Sequence, residues 1–357
     1  MARRKKREAP APPSADPHAV ARSRRPLLVT LAVGVLLVGT AATWLVSSRR
    51  PPPNLLLVTI DTLRADRVGV YGHEGAATPH LDALARRGIR FENAVAAVPL
   101  TGPSHATIFT GRYPPVHGVR DNVFFPLDNR HPTLATLLKE QGYRTAAFVA
   151  AYPVSSSFGF ARGFDHYDED YRETPKGGEV AERPANEVVD AALAWLSGAG
   201  DEPFLMWVHF YDPHTPYAPP APYDERYEDD PYDGEIAYTD AQLGRLLEGL
   251  AEQGRKDSTL VVALSDQGVS LGEHAEASHG ILIYQATLRV PFFMAGPGVQ
   301  VGETVTPWVG TTDVLPTVLG LLGVEAGEDL PGQDLGPLLS GEEFRPGPLY
   351  AESLFGR

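Results

Sequence analysis

Threonine, histidine and carboxylate side chains recur in three short segments of this chain that are also rich in glycine and proline. The first segment, VPLTGPSHATIFTGRYP, spans residues 98–114. Pro103 suits the first position of a helix that Gly111 would end, which places Thr101 just before the helix N-terminus. Free N–H groups and the helix dipole attract negative charge there. Thr101 could therefore serve as a capping residue or as a nucleophile that attacks an anionic group.

Two carboxylates stand directly after apolar runs. Asp61 follows NLLLVTI and Asp266 follows TLVVALS. Ligands of α/β sheets gather at the carboxyl ends of the strands, and a carboxylate there either caps a helix or binds something. Together with Thr101 and nearby histidines, these two acids predict a metal site.

Histidines occupy two loops that we expect at the same edge. HFYDPHTPY places His209, Asp212 and His214 just past an apolar run, and GEHAEASHG places His274 and His279 after Asp266. A single loop histidine is usually a solvated surface residue, and we keep that interpretation for His274. Two such loops at one edge favour a functional cluster.

A competing motif is the nucleophile elbow G-x-S-x-G, which GVSLG at 268–272 matches. That mechanism requires an acid and then a histidine after the serine in chain order. Asp313 could be the acid, but the last histidine of the chain is His279. The order therefore excludes the elbow.

The segments that must position these residues alternate between two types. Short apolar runs are interpreted as buried parallel strands, and segments of helical periodicity ending at glycine separate them, which indicates an α/β sheet covered on both faces. The predicted strands are 54–60, 145–150, 204–210, 259–265 and 290–296, and the predicted helical segments are 78–88, 133–142, 184–198, 235–254 and 311–323.

Composition and charge exclude several classes of protein. The chain has 357 residues, 43% of them hydrophobic, and no cysteine, so disulfides, zinc–thiolate sites and a cysteine nucleophile are excluded. Residues 1–50 hold ten Lys and Arg against two acids, a charge of +8, which leaves −22 for the remainder of the −14 total. The strong negative charge after residue 50 would repel nucleic acid, which argues against a nucleic-acid partner.

The N-terminal region predicts a membrane anchor. Residues 26–46 are uncharged and apolar, and about 20 such residues cross a hydrocarbon core. Residues 1–25 form a basic, Pro/Ala-rich tail that the positive-inside rule places in the cytoplasm. Residues 47–53 form a linker, and 54–357 form the catalytic domain on the extracytoplasmic, periplasmic side. The alternative is a cleaved signal peptide, because SRRPLL resembles a twin-arginine signal.

In their order and spacing, five segments resemble the sulfatase family of the alkaline phosphatase superfamily. The resemblance covers residues 54 to about 320 and implies a central mixed β-sheet between helices, plus a smaller C-terminal subdomain that this chain would largely lack. The segments are NLLLVTIDTLRAD, TPHLDALARRGIRFENA, TGPSHATIFTGRYPPVHGVRDN, FYDPHTPY and SDQGVSLGEHAEASHG.

The resemblance also implies roles for individual residues. Asp61 and Asp266 match metal carboxylates, and Thr101 takes the position of the metal-bound nucleophile. His105 lies where family arginines often support that nucleophile. The remaining matches are positions that hold the ester oxyanions or protonate the leaving group, namely Asn122, His214 and His279.

Two departures from the family pattern affect the chemistry. Thr101 cannot become formylglycine, because its β-methyl group would leave a ketone, so a threonine ester must be broken by attack on the central atom. That favours phosphoryl over sulfuryl substrates. Gln267 follows Asp266 where relatives have His or Asn, and its amide oxygen completes an all-oxygen ligand set that favours one Ca²⁺ over Mg²⁺ or Mn²⁺. Equally, Gln267 is consistent with a decayed site.

We therefore expect a membrane-anchored, metal-dependent hydrolase of sulfate or phosphate esters on glycans, lipids or aryl groups. One alternative is a phosphoryl or phosphoethanolamine-type transferase acting on lipid or glycan. The other is a catalytically inactive sulfatase-like protein that binds an anionic glycan or lipid headgroup.

Overall fold

The computed structural model describes residues 9–11, 51–171, 181–327 and 329–353. The chain divides into the units Met1–Pro51 and Pro52–Arg357, and every element below lies in the second. The predicted anchor at 26–46 lies outside the described residues, as does nearly all of the basic tail. Within the described part of the chain, no helix combines the length and the apolar character that crossing a membrane requires.

The described residues form nine strands: β1 Asn54–Ile60, β2 Ile89–Val95, β3 Arg144–Val149, β4 His166–Asp168, β5 Phe204–Phe210, β6 Thr259–Ser265, β7 Arg289–Val290, β8 Phe292–Ala295 and β9 Glu303–Gly310. They also form ten α-helices: α1 Pro79–Arg86, α2 Thr101–Thr110, α3 Pro114–His117, α4 Leu134–Glu140, α5 Ala185–Ser197, α6 Tyr223–Arg226, α7 Pro231–Glu252, α8 Gln285–Leu288, α9 Val314–Leu321 and α10 Gly336–Leu339.

All nine strands belong to one mixed sheet in the order β4-β3-β5-β1-β6-β8-β2-β7, with β9 paired to β2. The block β4-β3-β5-β1-β6 is parallel. The strand β8 is antiparallel to both β6 and β2. Because β1 lies between β5 and β6, the carboxyl ends of these three strands meet at one edge of the sheet.

Helices cover both faces of the sheet, as the sequence predicts. Alternate residues of β1 face opposite sides, since side chains along a strand alternate in direction. Leu55 and Leu57 pack into a core with residues of α2, α4 and α9, whereas Leu56 and Val58 pack into a core with α1, α5 and α7. The central strands β1, β5 and β6 are buried along their whole length.

The prediction of five parallel strands is wrong for the last one. The segment 290–296 is split at Pro291 into β7 and β8, and β8 runs antiparallel. A strand buried on both faces has the same continuous apolar pattern whether it runs parallel or antiparallel to its neighbours. Its composition therefore does not reveal its direction in the sheet. The strands β2, β4 and β9 were not predicted, and β2 and β9 are each partly exposed.

Two helices begin earlier than predicted. The helix α2 begins at Thr101, after extended Leu100, so Thr101 is its first residue rather than the residue before it. At its other end, Gly111 adopts the left-handed conformation (φ 64°) that ends the helix, as predicted. The helix α7 begins at Pro231 because the Asp230 side chain accepts the Asp233 N–H, which caps the first turn.

Candidate active site

The candidate site forms where β1, β5 and β6 end beside the first turn of α2. Asp61 follows β1, and its N–H donates to the Phe210 carbonyl at the end of β5 (2.9 Å). Asp266 follows β6, and its Oδ1 accepts the Thr62 N–H (3.3 Å). Both carboxylates and Thr101 are fully buried. The structure thus brings residues from separate parts of the sequence to one sheet edge.

Gln267 and Thr101 are in contact inside this site. The Gln267 Nε2 donates to the Thr101 hydroxyl at 3.4 Å. The Gln267 Oε1 is buried with no hydrogen-bond partner among the described residues, and the same holds for both carboxylate oxygens of Asp61 and for Asp266 Oδ2. Leaving a buried polar atom unpaired costs about 1–3 kcal/mol, and more for a charged group. Four such oxygens in one place form a donor set that a divalent cation would satisfy.

This donor set contains two carboxylates, an amide oxygen and a hydroxyl. Within the ranges that the structure describes, there is no group of three or more His, Cys, Asp or Glu side chains that could hold a metal ion. The fit to a cation therefore depends on Gln267 and Thr101 as much as on the two acids.

The pKa values of the two acids shift in opposite directions because their neighbours differ. Burial, followed by repulsion from Asp61, raises the pKa of Asp266. Burial also acts to raise the pKa of Asp61, but the His209 imidazole and the positive charges on His214 and His279 lower it to about 2. The Nε2 of His209 lies 3.7 Å from Asp61 Oδ2.

His105 contacts Thr101 through the main chain. Its Nδ1 donates to the Thr101 carbonyl (2.8 Å), and its Nε2 accepts from the Thr59 hydroxyl (3.0 Å). Thr59 in turn accepts the Trp207 Nε1–H at 2.9 Å. Burial lowers the pKa of His105 to about 3, so the ring is neutral. In this structure His105 holds the first turn of α2 in place.

His214 and His279 contact each other through their imidazole rings. Their Nε2 atoms lie 3.2 Å apart. The His214 Nδ1 faces the Thr215 carbonyl (2.7 Å) and the His279 Nδ1 faces the Pro99 carbonyl (3.0 Å), so both Nδ1 atoms carry protons. A hydrogen bond between the two Nε2 atoms then requires one further proton, shared by the pair. Burial is the main cause that lowers the pKa of His214, although the nearby Asp61 carboxylate acts in the opposite direction.

Asn122 lies at the N-terminus of α2. Its Oδ1 accepts the Gly102 N–H at 2.8 Å, and a Cβ added at Gly102 would lie 3.3 Å from that oxygen. Pro103 has no N–H, and the Ser104 N–H donates to the Leu100 carbonyl. The sequence suggests several free N–H donors at this helix tip, but these residues leave mainly the N–H of Thr101.

Sequence reasoning named His209 only as a member of a loop cluster, and it missed Thr62. The sequence places His209 in a loop with His214, yet it is the last but one residue of β5 and approaches Asp61 from the sheet. Thr62 adopts a left-handed conformation (φ 53°), donates its hydroxyl to the Pro213 carbonyl and its N–H to Asp266. A histidine inside an otherwise apolar run was the available signal for His209, whereas no sequence signal marked Thr62.

Comparison with known proteins gives consistent matches. The Sulfatase family model matches residues 53–324. The ulvan-active sulfatase of Formosa agariphila is 28% identical and covers 80% of this chain, which spans 65% of that protein. The arylsulfatase of Clostridium perfringens is 27% identical over 80% of this chain and 78% of its own length. Both relatives are sulfatases, in agreement with the family model.

The fold likewise matches a solved structure. The phosphonate monoester hydrolase of Agrobacterium radiobacter superimposes with a TM-score of 0.71, covering 82% of this chain and 78% of its own, at 23% identity. The mixed α/β sheet described above is therefore the fold of these enzymes.

Proposed function

The chain belongs to the sulfatase family of the alkaline phosphatase superfamily, and from that premise we propose that it is a membrane-anchored, metal-dependent hydrolase of sulfate or phosphate esters with Thr101 as its nucleophile. The observation that carries the proposal is the buried Thr101 hydroxyl at the first residue of α2, next to the unpaired oxygens of Asp61, Asp266 and Gln267.

Members of this family typically use a divalent metal, and these side chains fit one. Asp61, Asp266, Gln267 and Thr101 would hold it, and Ca²⁺ suits their all-oxygen set. A divalent cation bound there would lower the pKa of the Thr101 hydroxyl and offset the charge of the ester.

The reaction uses the chain's own groups in two steps. In the first, the Thr101 hydroxyl releases its proton to solvent, and its oxygen bonds to the sulfur or phosphorus while the bond to the leaving alcohol oxygen breaks. The proton shared by His214 and His279 passes to that oxygen, which neutralises its developing charge. In the second, water attacks the central atom and the bond to the Thr101 oxygen breaks, which releases sulfate or phosphate. One proton of the water restores the threonine hydroxyl, and the other returns to the pair His214 and His279. An alcohol in place of water would make the same site a transferase.

Thr101 also limits the chemistry. Its β-methyl group prevents conversion to formylglycine, so release depends on attack at the central atom. This favours phosphate esters over sulfate esters. The likeness to an ulvan-active sulfatase and an arylsulfatase supports an anionic glycan, lipid or aryl ester as substrate. The catalytic domain would act on the extracytoplasmic side, held by residues 26–46.

Substitution of Thr101 tests the proposal. We expect Thr101→Ala to lower kcat for 4-nitrophenyl sulfate or phosphate at least about a thousandfold, because the nucleophile acts in every turnover. Thr101→Ser should retain measurable turnover. Thr110→Ala on the same helix is the matched control, since the Thr110 hydroxyl donates only to the Ala106 carbonyl. Turnover unchanged in Thr101→Ala would exclude the nucleophile role.

A further inference from the structure

A cavity of about 320 Å³ shares His214 with the candidate active site. Its walls come from the segment after β5, the segment just before α5 and the first turns of α7, and no residue proposed above to bind a metal lines it. The polar and charged residues that line it are Glu182, Arg183, Tyr211, Asp212, His214 and Glu235.

Two of these carboxyl groups have an oxygen with no hydrogen-bond partner in the described part of the chain. Glu235 is only 5% exposed, and its Oε1 accepts the Ala218 N–H at 2.8 Å, while its other oxygen has no hydrogen bond to the described residues. Asp212 Oδ1 accepts the Ala185 N–H at 3.0 Å, and its Oδ2 is buried without a partner among them. Each side chain is thus held in place through one oxygen, and its other oxygen is available to accept a hydrogen bond from a ligand.

Three acids and one arginine line the cavity, and burial of the acids disfavours their charged forms. Burial raises the pKa of Asp212 to about 6. Burial, and then the negative charges of Asp212 and Glu182, raise the pKa of Glu235 to about 8. Arg183 is directed towards other groups, because its Nη1 pairs with Asp168 (2.5 Å) and its Nε donates to the Val149 carbonyl (3.1 Å).

We propose that this cavity binds the protonated amino group of the leaving alcohol, so that the preferred substrate is a zwitterionic ester of an amino alcohol or amino sugar. The proposal rests on the ester hydrolysis proposed above. An ammonium group would donate to Asp212 Oδ2 and to the free oxygen of Glu235, and its charge would offset the repulsion between the acids. The shared residue His214 would stand between this group and the ester.

Matched esters test the preference. We expect kcat/KM for 2-aminoethyl sulfate or phosphate to exceed that for the isosteric propyl ester at least tenfold. Glu235→Gln and Asp212→Asn keep their backbone bonds and should each reduce this ratio at least fivefold. Glu248→Gln, at an exposed position of α7, is the control and should leave the ratio unchanged. Equal kcat/KM for the 2-hydroxyethyl and 2-aminoethyl esters would overturn the proposal in favour of a hydroxyl site.

A binding experiment separates this inference from the proposed hydrolysis. Saturation-transfer NMR of ethanolamine with the full chain requires no turnover, and we expect Glu235→Gln to weaken binding at least tenfold while Glu248→Gln does not. If neither ester series is hydrolysed but ethanolamine binds in this manner, hydrolysis fails and the cavity assignment stands. Absence of transfer, or equal transfer in wild type and Glu235→Gln, overturns the cavity assignment.

Discussion

At the scale of single residues, the unpaired buried oxygens of the site decide how its chemistry can work. Among the described residues, Asp61 contributes two of them, and Asp266 and Gln267 contribute one each. Burying an unpaired polar or charged oxygen costs free energy. Proteins bury such an oxygen where it ligates an ion or pairs with a bound ligand. Because the Gln267 Nε2 is already directed at Thr101, its Oε1 is the amide atom left for a cation.

Gln267 should therefore contribute to cation affinity. We expect Gln267→Leu to weaken Ca²⁺ binding by about tenfold or more, or roughly 1.4 kcal/mol, because one oxygen ligand is lost. Calorimetric titration of the full chain with Ca²⁺, Mg²⁺ and Mn²⁺ measures this without any assay of turnover. Gln253→Leu, at the exposed end of α7, is the matched control.

Two results would contradict this assignment. Equal Ca²⁺ affinity in wild type and Gln267→Leu would show that the amide is not a ligand. No stoichiometric binding of any of the three ions to the wild-type chain would favour the inactive, glycan-binding or lipid-binding alternative.

The residues of the site were predictable to unequal degrees. Asp61 and Asp266 could be found because an acid directly after a buried strand usually caps a helix or binds a ligand. The placement of His105 was not predictable, since its bond to the Thr101 carbonyl depends on its i+4 position in a helix whose predicted start is too late. The contact between His214 and His279 joins two loops 65 residues apart, and no local pattern determines it.

At the scale of elements, α2 is held at its far end by the short helix α3. His117, the last residue of α3, is fully buried. Its Nδ1 accepts the Val119 N–H at 3.1 Å, so its Nε2 carries the proton that is donated to the Thr107 hydroxyl at 3.1 Å. Thr107 in turn donates to the Pro103 carbonyl in the first turn of α2 (3.0 Å). The neutral ring is required for this arrangement.

This arrangement predicts a loss of stability in acid. Burial, then the charges of His131 and Arg120, lower the pKa of His117 from 6.5 to about 3. Below pH 6.5 the unfolded chain gains a proton that the folded chain does not bind. The free energy of unfolding should therefore fall as the pH drops from about 6.5 towards 3, with this histidine contributing up to about 1.4 kcal/mol per pH unit.

Urea unfolding of wild type and His117→Gln at pH 5, 6 and 7 measures the effect. We expect the variant to lose less stability than wild type between pH 7 and 5, whereas His166→Gln, at an exposed position, should follow wild type. Parallel pH profiles of wild type and His117→Gln would show that the ring titrates normally in the folded protein.

The elements themselves were largely predictable, and the failures have two causes, namely partial exposure of a strand and the choice of its pairing neighbour. The strands β1, β5 and β6 agree with their predicted bounds because both of their faces are buried, which gives uninterrupted apolar runs. The strand β9 is half exposed, and its pattern carries charged and polar residues. Strand direction depends on which neighbour pairs with β8, and tertiary contacts set that choice.

At the scale of the whole molecule, residues 1–50 carry a net positive charge and the rest of the chain carries a net negative charge. The basic excess lies in residues 1–50, and the remainder carries −22, which agrees with the absence of nucleic acid among the expected partners. An acidic catalytic domain repels anionic substrates at long range. Binding therefore depends on local positive charge, which the proton shared by His214 and His279 and a bound cation would supply.

The charge asymmetry also predicts the orientation of the chain in a membrane. Eight Lys and Arg precede residues 26–46 and two follow closely, so the positive-inside rule places the N-terminus in the cytoplasm. Because the chain has no cysteine, single substitutions give an unambiguous readout. In spheroplasts, we expect a membrane-impermeant maleimide to label Ser197→Cys, in the catalytic domain, and to label Ser14→Cys only after lysis. Labelling of Ser14→Cys in intact spheroplasts would reverse the orientation, and a mature protein lacking residue 14 would establish a cleaved signal peptide instead.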